Sequence, residues 1–157
     1  MYTLCVTHGF FNNAQNGALA QMALSISKYR KQAKREVEGV WRDYEGCKLL
    51  IAYIDNPAYR DKVRELSRQY INDLQKGGDM AVAAIKKIRT QATAEHILLG
   101  WEDVTDESGT NVPYTVAQVI AYFDDSDFGS KFFQDVVVLA NEQKNFTDDV
   151  TEQALKN

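Results

Sequence analysis

The stretch from Ala94 to Tyr114, AEHILLGWEDVTDESGTNVPY, decides how the rest of the chain is read. It opens as an apolar run with helical spacing, stops at Gly100-Trp101, passes through an acidic turn, and reaches Pro113-Tyr114 ahead of a new apolar period. A glycine after the last helical residue suits the left-handed C-terminal position, and an aromatic behind it packs back over the final turn. The spacing therefore predicts a helix from about Asp79 to Leu99, with Ile85, Ile88, Ala92, His96 and Leu99 on one stripe. Gly100 is its expected left-handed end and Trp101 its cover.

Downstream, Thr115 with Gln118 three positions on has the form of a capping box, and Tyr114 is placed to staple against Val119. Val116, Val119, Ile120 and Phe123 then make a short helix that ends at Asp124-Asp125, and Ser126 is the expected cap of a last helix carrying Phe128, Phe132, Val136, Leu139 and Ala140. From Phe146 onward the chain is polar, and 147–157 is expected to be a flexible tail.

Upstream, Asn56-Pro57 reads as a helix start, because Asn accepts from free backbone donors and proline at the first helical position gives up no needed hydrogen bond. Tyr59, Val63, Leu66, Tyr70 and Leu74 form its apolar stripe, and Gly77-Gly78 stops it. Before it, β-branched and aromatic residues on both sides of Glu45-Gly46 give the hairpin signal of the chain, confined to about Val37–Ile54. Residues 1–36 read as an N-terminal extension, with a helical stripe at Leu19, Met22, Ile26 and Tyr29 and the basic cluster Lys28, Arg30, Lys31, Lys34 and Arg35.

The expected fold is thus mainly α: one helical domain over 37–146, an N-terminal β-hairpin, and a flexible C-terminal tail. A chain of 157 residues, 45% hydrophobic and 25% charged, is long enough for one self-supporting core. Its net charge of -4 supplies no protein-wide attraction for nucleic acid or anionic lipid, so only the basic arm could act there. No run approaches the ~20 apolar residues of a membrane span. Cys5 and Cys47 lack metal or redox spacing and read as reduced thiols of a cytoplasmic protein, a lone disulfide between them being the alternative. His96 beside Glu95 has only His8 as a companion histidine, so it reads as a partly buried residue of the fold, not as a ligand or acid–base group. No catalytic set, metal set or cofactor motif emerges, and enzymatic activity is not expected.

Phe132, Phe133, Val136 and Val137, with Val138, wrap more than half of one helix. That is more than one buried face needs, and makes them candidates for partner binding in a helix-accepting groove.

In order along the chain, Gly39 and Trp41 in the hairpin, Asn56-Pro57-Ala-Tyr59, Gly100-Trp101, Gly109, Pro113-Tyr114, Val138-Leu-Ala-Asn-Glu142 and Phe146 resemble the tail assembly chaperones of long-tailed, siphovirus-type bacteriophages. The resemblance spans Glu38 to Phe146. It implies a non-enzymatic protein that binds and solubilises the tape measure protein in the cytoplasm of the infected bacterium, helps tail tube protein polymerise around it, self-associates, and is absent from the mature virion. Two other classes fit the composition: a virion structural or head–tail component, and a small regulatory protein binding nucleic acid or a host protein through the basic arm.

Overall fold

The computed structural model of the protein describes residues 33–142 and residue 146. Cys5, His8, Lys28, Arg30, Lys31 and the tail 147–157 lie outside the described residues.

The first described element is α1, Ala33–Glu38, which carries Lys34 and Arg35. It is bonded to the sheet end, where the Tyr53 amide donates to the Glu36 carbonyl at 3.0 Å. Gly39 follows at φ 80°, and a β-carbon there would stand 3.0 Å from the Ile51 carbonyl oxygen, so the turn from helix into strand needs both the left-handed backbone and the bare Cα. Strands β1, Val40–Tyr44, and β2, Cys47–Ile51, form the expected hairpin. Glu45 and Gly46 both have positive φ, as a two-residue primed turn requires.

Helix α2, Pro57–Gln69, starts as read from the sequence. Asn56 Oδ1 accepts from the Tyr59 amide at 2.9 Å, while its Nδ2 donates to the Tyr53 carbonyl at 2.7 Å and to the His96 carbonyl at 3.2 Å. The single buried amide therefore caps one helix and holds it to the end of another. The apolar stripe does not run as one helix to Gly77: it breaks at Tyr70 and resumes as α3, Ile71–Lys76. The stripe still works, since Tyr59, Val63, Tyr70 and Leu74 pack around Leu66, Ile88 and Ala92. Lys62 adds a link from α2 to Glu95, on the long helix that follows α3, at 3.0 Å.

Helix α4, Gly78–His96, ends three residues before Leu99, and here the reading of the deciding stretch is corrected. Leu98–Glu102 is a strand, β3, antiparallel to β2 in a three-stranded sheet of order β1-β2-β3. The fold is mixed α and β, not mainly α with a lone hairpin, and strand pairing extends well beyond Val37–Ile54. Gly100 does not occupy the left-handed end of a helix; it pairs with Leu50 inside the sheet. The cause is tertiary. The hairpin leaves one edge of β2 without a partner, and ILLGW, arriving from α4, fills that edge while burying Leu98 and Trp101. The Ala52 amide, bonded to the Ile97 carbonyl at 2.8 Å, fixes the junction.

Helices α5, Val116–Asp124, and α6, Gly129–Asn141, cover the inner face of the sheet. Thr115 Oγ1 accepts from the Gln118 amide at 3.0 Å, so the expected cap forms. Ser126 does not cap α6, whose first turn has no side-chain cap; Asp125 instead holds the turn ahead of it, accepting from the Asp127 and Phe128 amides at 2.8 and 3.2 Å. The main core joins Leu49, Ile51, Ala94, Ile97, Leu98, Trp101, Val119, Phe123, Val136 and Ala140. Phe146, the last residue of the expected domain, is fully buried, its ring 5.3 Å from that of Tyr53.

Two glycines give opposite expectations. A β-carbon on Gly129 would lie 2.6 and 2.7 Å from the Tyr122 and Phe123 carbonyl oxygens, so Gly129→Ala should cost about 1–3 kcal/mol by forcing α5 and α6 apart. A β-carbon on Gly100 meets Leu50 and Trp41 at 3.6–3.8 Å, ordinary contact, and Gly100→Ala should be neutral or stabilise by about 0.5 kcal/mol. Urea denaturation of both variants checks this, and a large loss at Gly100 would restore the helix-end reading. Asn56→Ala removes a cap and the side-chain donor to the Tyr53 and His96 carbonyls, the first of which keeps the residue-56 backbone amide, with an expected loss of about 2–3 kcal/mol by the same measurement.

Candidate functional site: two apolar recesses beside helix α6

The end of the β1–β2 hairpin, the start of the loop after β3, and the α5–α6 corner enclose a half-open cleft of about 560 Å³. Its wall is a chain of rings. Trp101 stacks on Tyr122 with centroids 5.7 Å apart, Tyr122 meets Phe128 edge-on at 5.6 Å, and Phe132 lies 5.9 Å from Tyr44. Trp101 is held in place by its indole N–H, which donates to the Val112 carbonyl at 2.8 Å, and by Tyr114 edge-on at 5.2 Å. Tyr114 in turn donates its hydroxyl to the Leu98 carbonyl at 2.6 Å. The Trp101 bond to Val112 and the Tyr114 bond to Leu98 thus pin the acidic loop across the core.

The loop tip is a small self-bonded turn. Asp106 Oδ1 accepts from the Ser108 and Thr110 amides, each at 2.9 Å, and Gly109 takes positive φ there. These donors, the Ser108 hydroxyl foremost, hold the Asp106 carboxyl below its usual range. Asp106 and Glu107 overhang the cleft, with Glu45 and Asp125 at other points of its rim.

One polar network crosses the mouth. Tyr44 donates its hydroxyl to Asp135 Oδ2 at 2.8 Å, and Lys131 Nζ bonds the same oxygen at 2.5 Å and Glu45 at 3.4 Å. Burial, then the bond and charge of Asp135, push Tyr44 up to about 12. Lys131 and then Tyr44 hold Asp135 below its usual range, and Asp135 followed by Glu45 keeps Lys131 protonated above its own. Burial also raises the nearby Cys47 thiol, whose Sγ donates to the Tyr44 carbonyl at 2.9 Å.

A second recess, about 320 Å³, lies between α4 and α6. Val82 and Ile85 line it from α4, 66% and 47% exposed, and Phe123 and Phe133 line it from the other side. Arg89 lies over the Phe133 ring at 5.3 Å, and Lys86 pairs with Asp124 at 3.2 Å. Ile85 therefore faces this groove and not the buried stripe of α4 on which the sequence placed it.

The four candidate partner-binding residues are split by α6. Phe132 goes to the aromatic cleft, Phe133 to the α4–α6 groove, Val136 is fully buried, and Val137 is half-buried. Trp41 is 46% exposed on the outer face of the sheet, away from both recesses, while Asn56, Pro57 and Tyr59 build the α2 start. The sequence pattern does not mark Val82, Ile85, Tyr122 and Phe128 as site residues. Val82, three residues before Ile85 and outside the stripe read from the sequence, is the available signal for a second apolar face on α4. His96 is half-buried, 3.8 Å from Glu95. Among the described residues no group of acidic, histidine or cysteine side chains has the arrangement of a metal site, and no helix is long and apolar enough to cross a membrane.

The molecule is thus small and mixed α and β, with two apolar recesses and a pinned acidic loop. Residues 54–157 match the model of the YdaY prophage protein family, and the chain belongs to that family, which makes it a phage-derived protein. Comparison with curated proteins and with solved structures gives no significant match.

Trp101→Ala should cost about 3–5 kcal/mol, because the ring is buried between β3, the loop and α5. A shift in the urea midpoint at constant slope checks it. Tyr44 also makes stability pH-dependent. Its folded value lies above the ordinary 10.0, so its contribution is whole below pH 10 and is lost as pH rises to about 12. Tyr44→Phe should remove that part of the alkaline decline, seen in denaturation midpoints between pH 9 and 12.

Proposed function

We propose that this YdaY-family protein is a tail assembly chaperone of its phage, binding the tape measure protein and keeping it soluble during tail morphogenesis. The observation that carries the reading is the α4–α6 groove: a half-open apolar trough between two helices, with Val82 and Ile85 left unburied on one wall and Phe133 on the other. An amphipathic client helix laid along it would cover these side chains and its own apolar face together, which is the helix-in-groove mode. Membership of a prophage family supports the setting. So does the resemblance along Glu38–Phe146, whose Asn56-Pro57 and Pro113-Tyr114 parts stand at the starts of α2 and of the segment leading into α5.

The mechanism is reversible covering of apolar surface, with no covalent step. A long helical client with bare apolar faces aggregates, and shielding it until tail tube subunits assemble around it lowers that loss. On this reading the protein acts in the cytoplasm of the infected host and leaves before the virion is complete.

Co-expression with the phage's tape measure protein should raise that protein's soluble yield. Val82→Asp, at a position 66% exposed, should abolish the gain without changing the chaperone's own denaturation midpoint. A soluble-fraction and pull-down assay reads both. No association with the tape measure protein, or recovery of this protein from purified virions, would overturn the proposal, the latter in favour of a structural component.

A further inference from the structure

We infer that the aromatic cleft is a second binding site, for a partner segment that carries lysine or arginine among apolar residues. It stands apart from the α4–α6 groove and does not depend on the chaperone reading.

Two independent properties converge on that chemistry. The wall is built of five aromatic rings, and their faces carry the negative part of the ring quadrupole, which attracts ammonium and guanidinium groups. Phe128, at the α5–α6 corner, is 44% exposed and offers apolar surface to the residues flanking such a cation. The rim supplies the second property: Glu45, Asp106, Glu107 and Asp125 stand against a single cation, Lys131. Lys131 is already committed, bonded to Asp135 and Glu45, so it neither fills the cleft nor offsets Glu107. Its ammonium lies 5.9 Å from the centre of the Tyr44 ring, so the cleft mouth already holds one cation against an aromatic face.

The same charges exclude other occupants. A phosphate backbone would meet four carboxylates, and a wholly apolar segment would strip water from the rim without replacing it. A cationic apolar segment satisfies both wall and rim, and complementarity of this kind mainly sets partner choice and association rate.

The test uses the full chain carrying Trp41→Phe, which leaves Trp101 in the cleft wall as the one indole of the chain's two tryptophans. The probes are a sixteen-residue leucine–lysine amphipathic helix and its leucine–glutamate counterpart. The lysine peptide should change Trp101 emission saturably, with affinity falling as salt rises, and the glutamate peptide should leave it unchanged. Glu107→Lys should weaken the lysine peptide by about tenfold, as should Phe128→Ala, while Val82→Asp in the other recess should not. Equal binding of both peptides, or loss with Val82→Asp but not with Glu107→Lys, would overturn the assignment. So would carbodiimide cross-linking of the protein alone that joins Lys28 or Lys31 to Glu107, which would give the cleft to the chain's own basic segment.

Discussion

The pairing of Leu98–Glu102 with Cys47–Ile51 is the constraint on which the other parts depend. It draws the end of α4 onto the sheet, so that Ala94, Ile97 and Leu98 share a core with Leu49 and Ile51. It places Trp101 on the inner face, where Val112 and Tyr114 are drawn down over it. That in turn carries the acidic turn to the rim of the cleft and sets the entry to α5. Without the third strand the hairpin would offer an open edge and a half-covered apolar face, and α5 and α6 would have no common floor.

Both recesses arise from how α6 meets its neighbours. Gly129 brings the start of α6 within backbone contact of the end of α5, a closeness any β-carbon would forbid. From that corner Phe132 and Phe133, adjacent in sequence, diverge to two different sides of the helix. One closes the ring-lined cleft and the other the trough beside α4. Adjacent residues on a helix are about 100° apart, so two consecutive aromatics serve two surfaces while Val136 and Ala140 keep the helix anchored.

Much of this was legible because the signals were local. Asn56-Pro57, Thr115 with Gln118, and Glu45-Gly46 each act through hydrogen bonds or backbone angles within four residues, and each stands where its chemistry requires. The strand at Leu98–Glu102 was not legible, because Ile-Leu-Leu continues a helical stripe as readily as it begins a strand, and the deciding partner lies about 50 residues earlier in the chain. Of the candidate surface, the apolar wrap of α6 was visible, but its division between two recesses depended on helix placement, which periodicity alone does not carry.

The distance along the chain between β2 and β3 also bears on how the protein is made. The hairpin leaves the ribosome first, while the segment that completes its sheet follows about 50 residues later, ~3–10 s at common synthesis rates. Throughout that interval β2 presents unpaired backbone groups beside Leu49 and Ile51, the kind of edge that captures strands from other nascent chains. The α2–α4 segment made in the meantime has its own apolar cluster at Leu66, Ile88 and Ala92. By collapsing around it, that segment returns the beginning of β3 close to the end of β2 and shortens the search that closes the sheet.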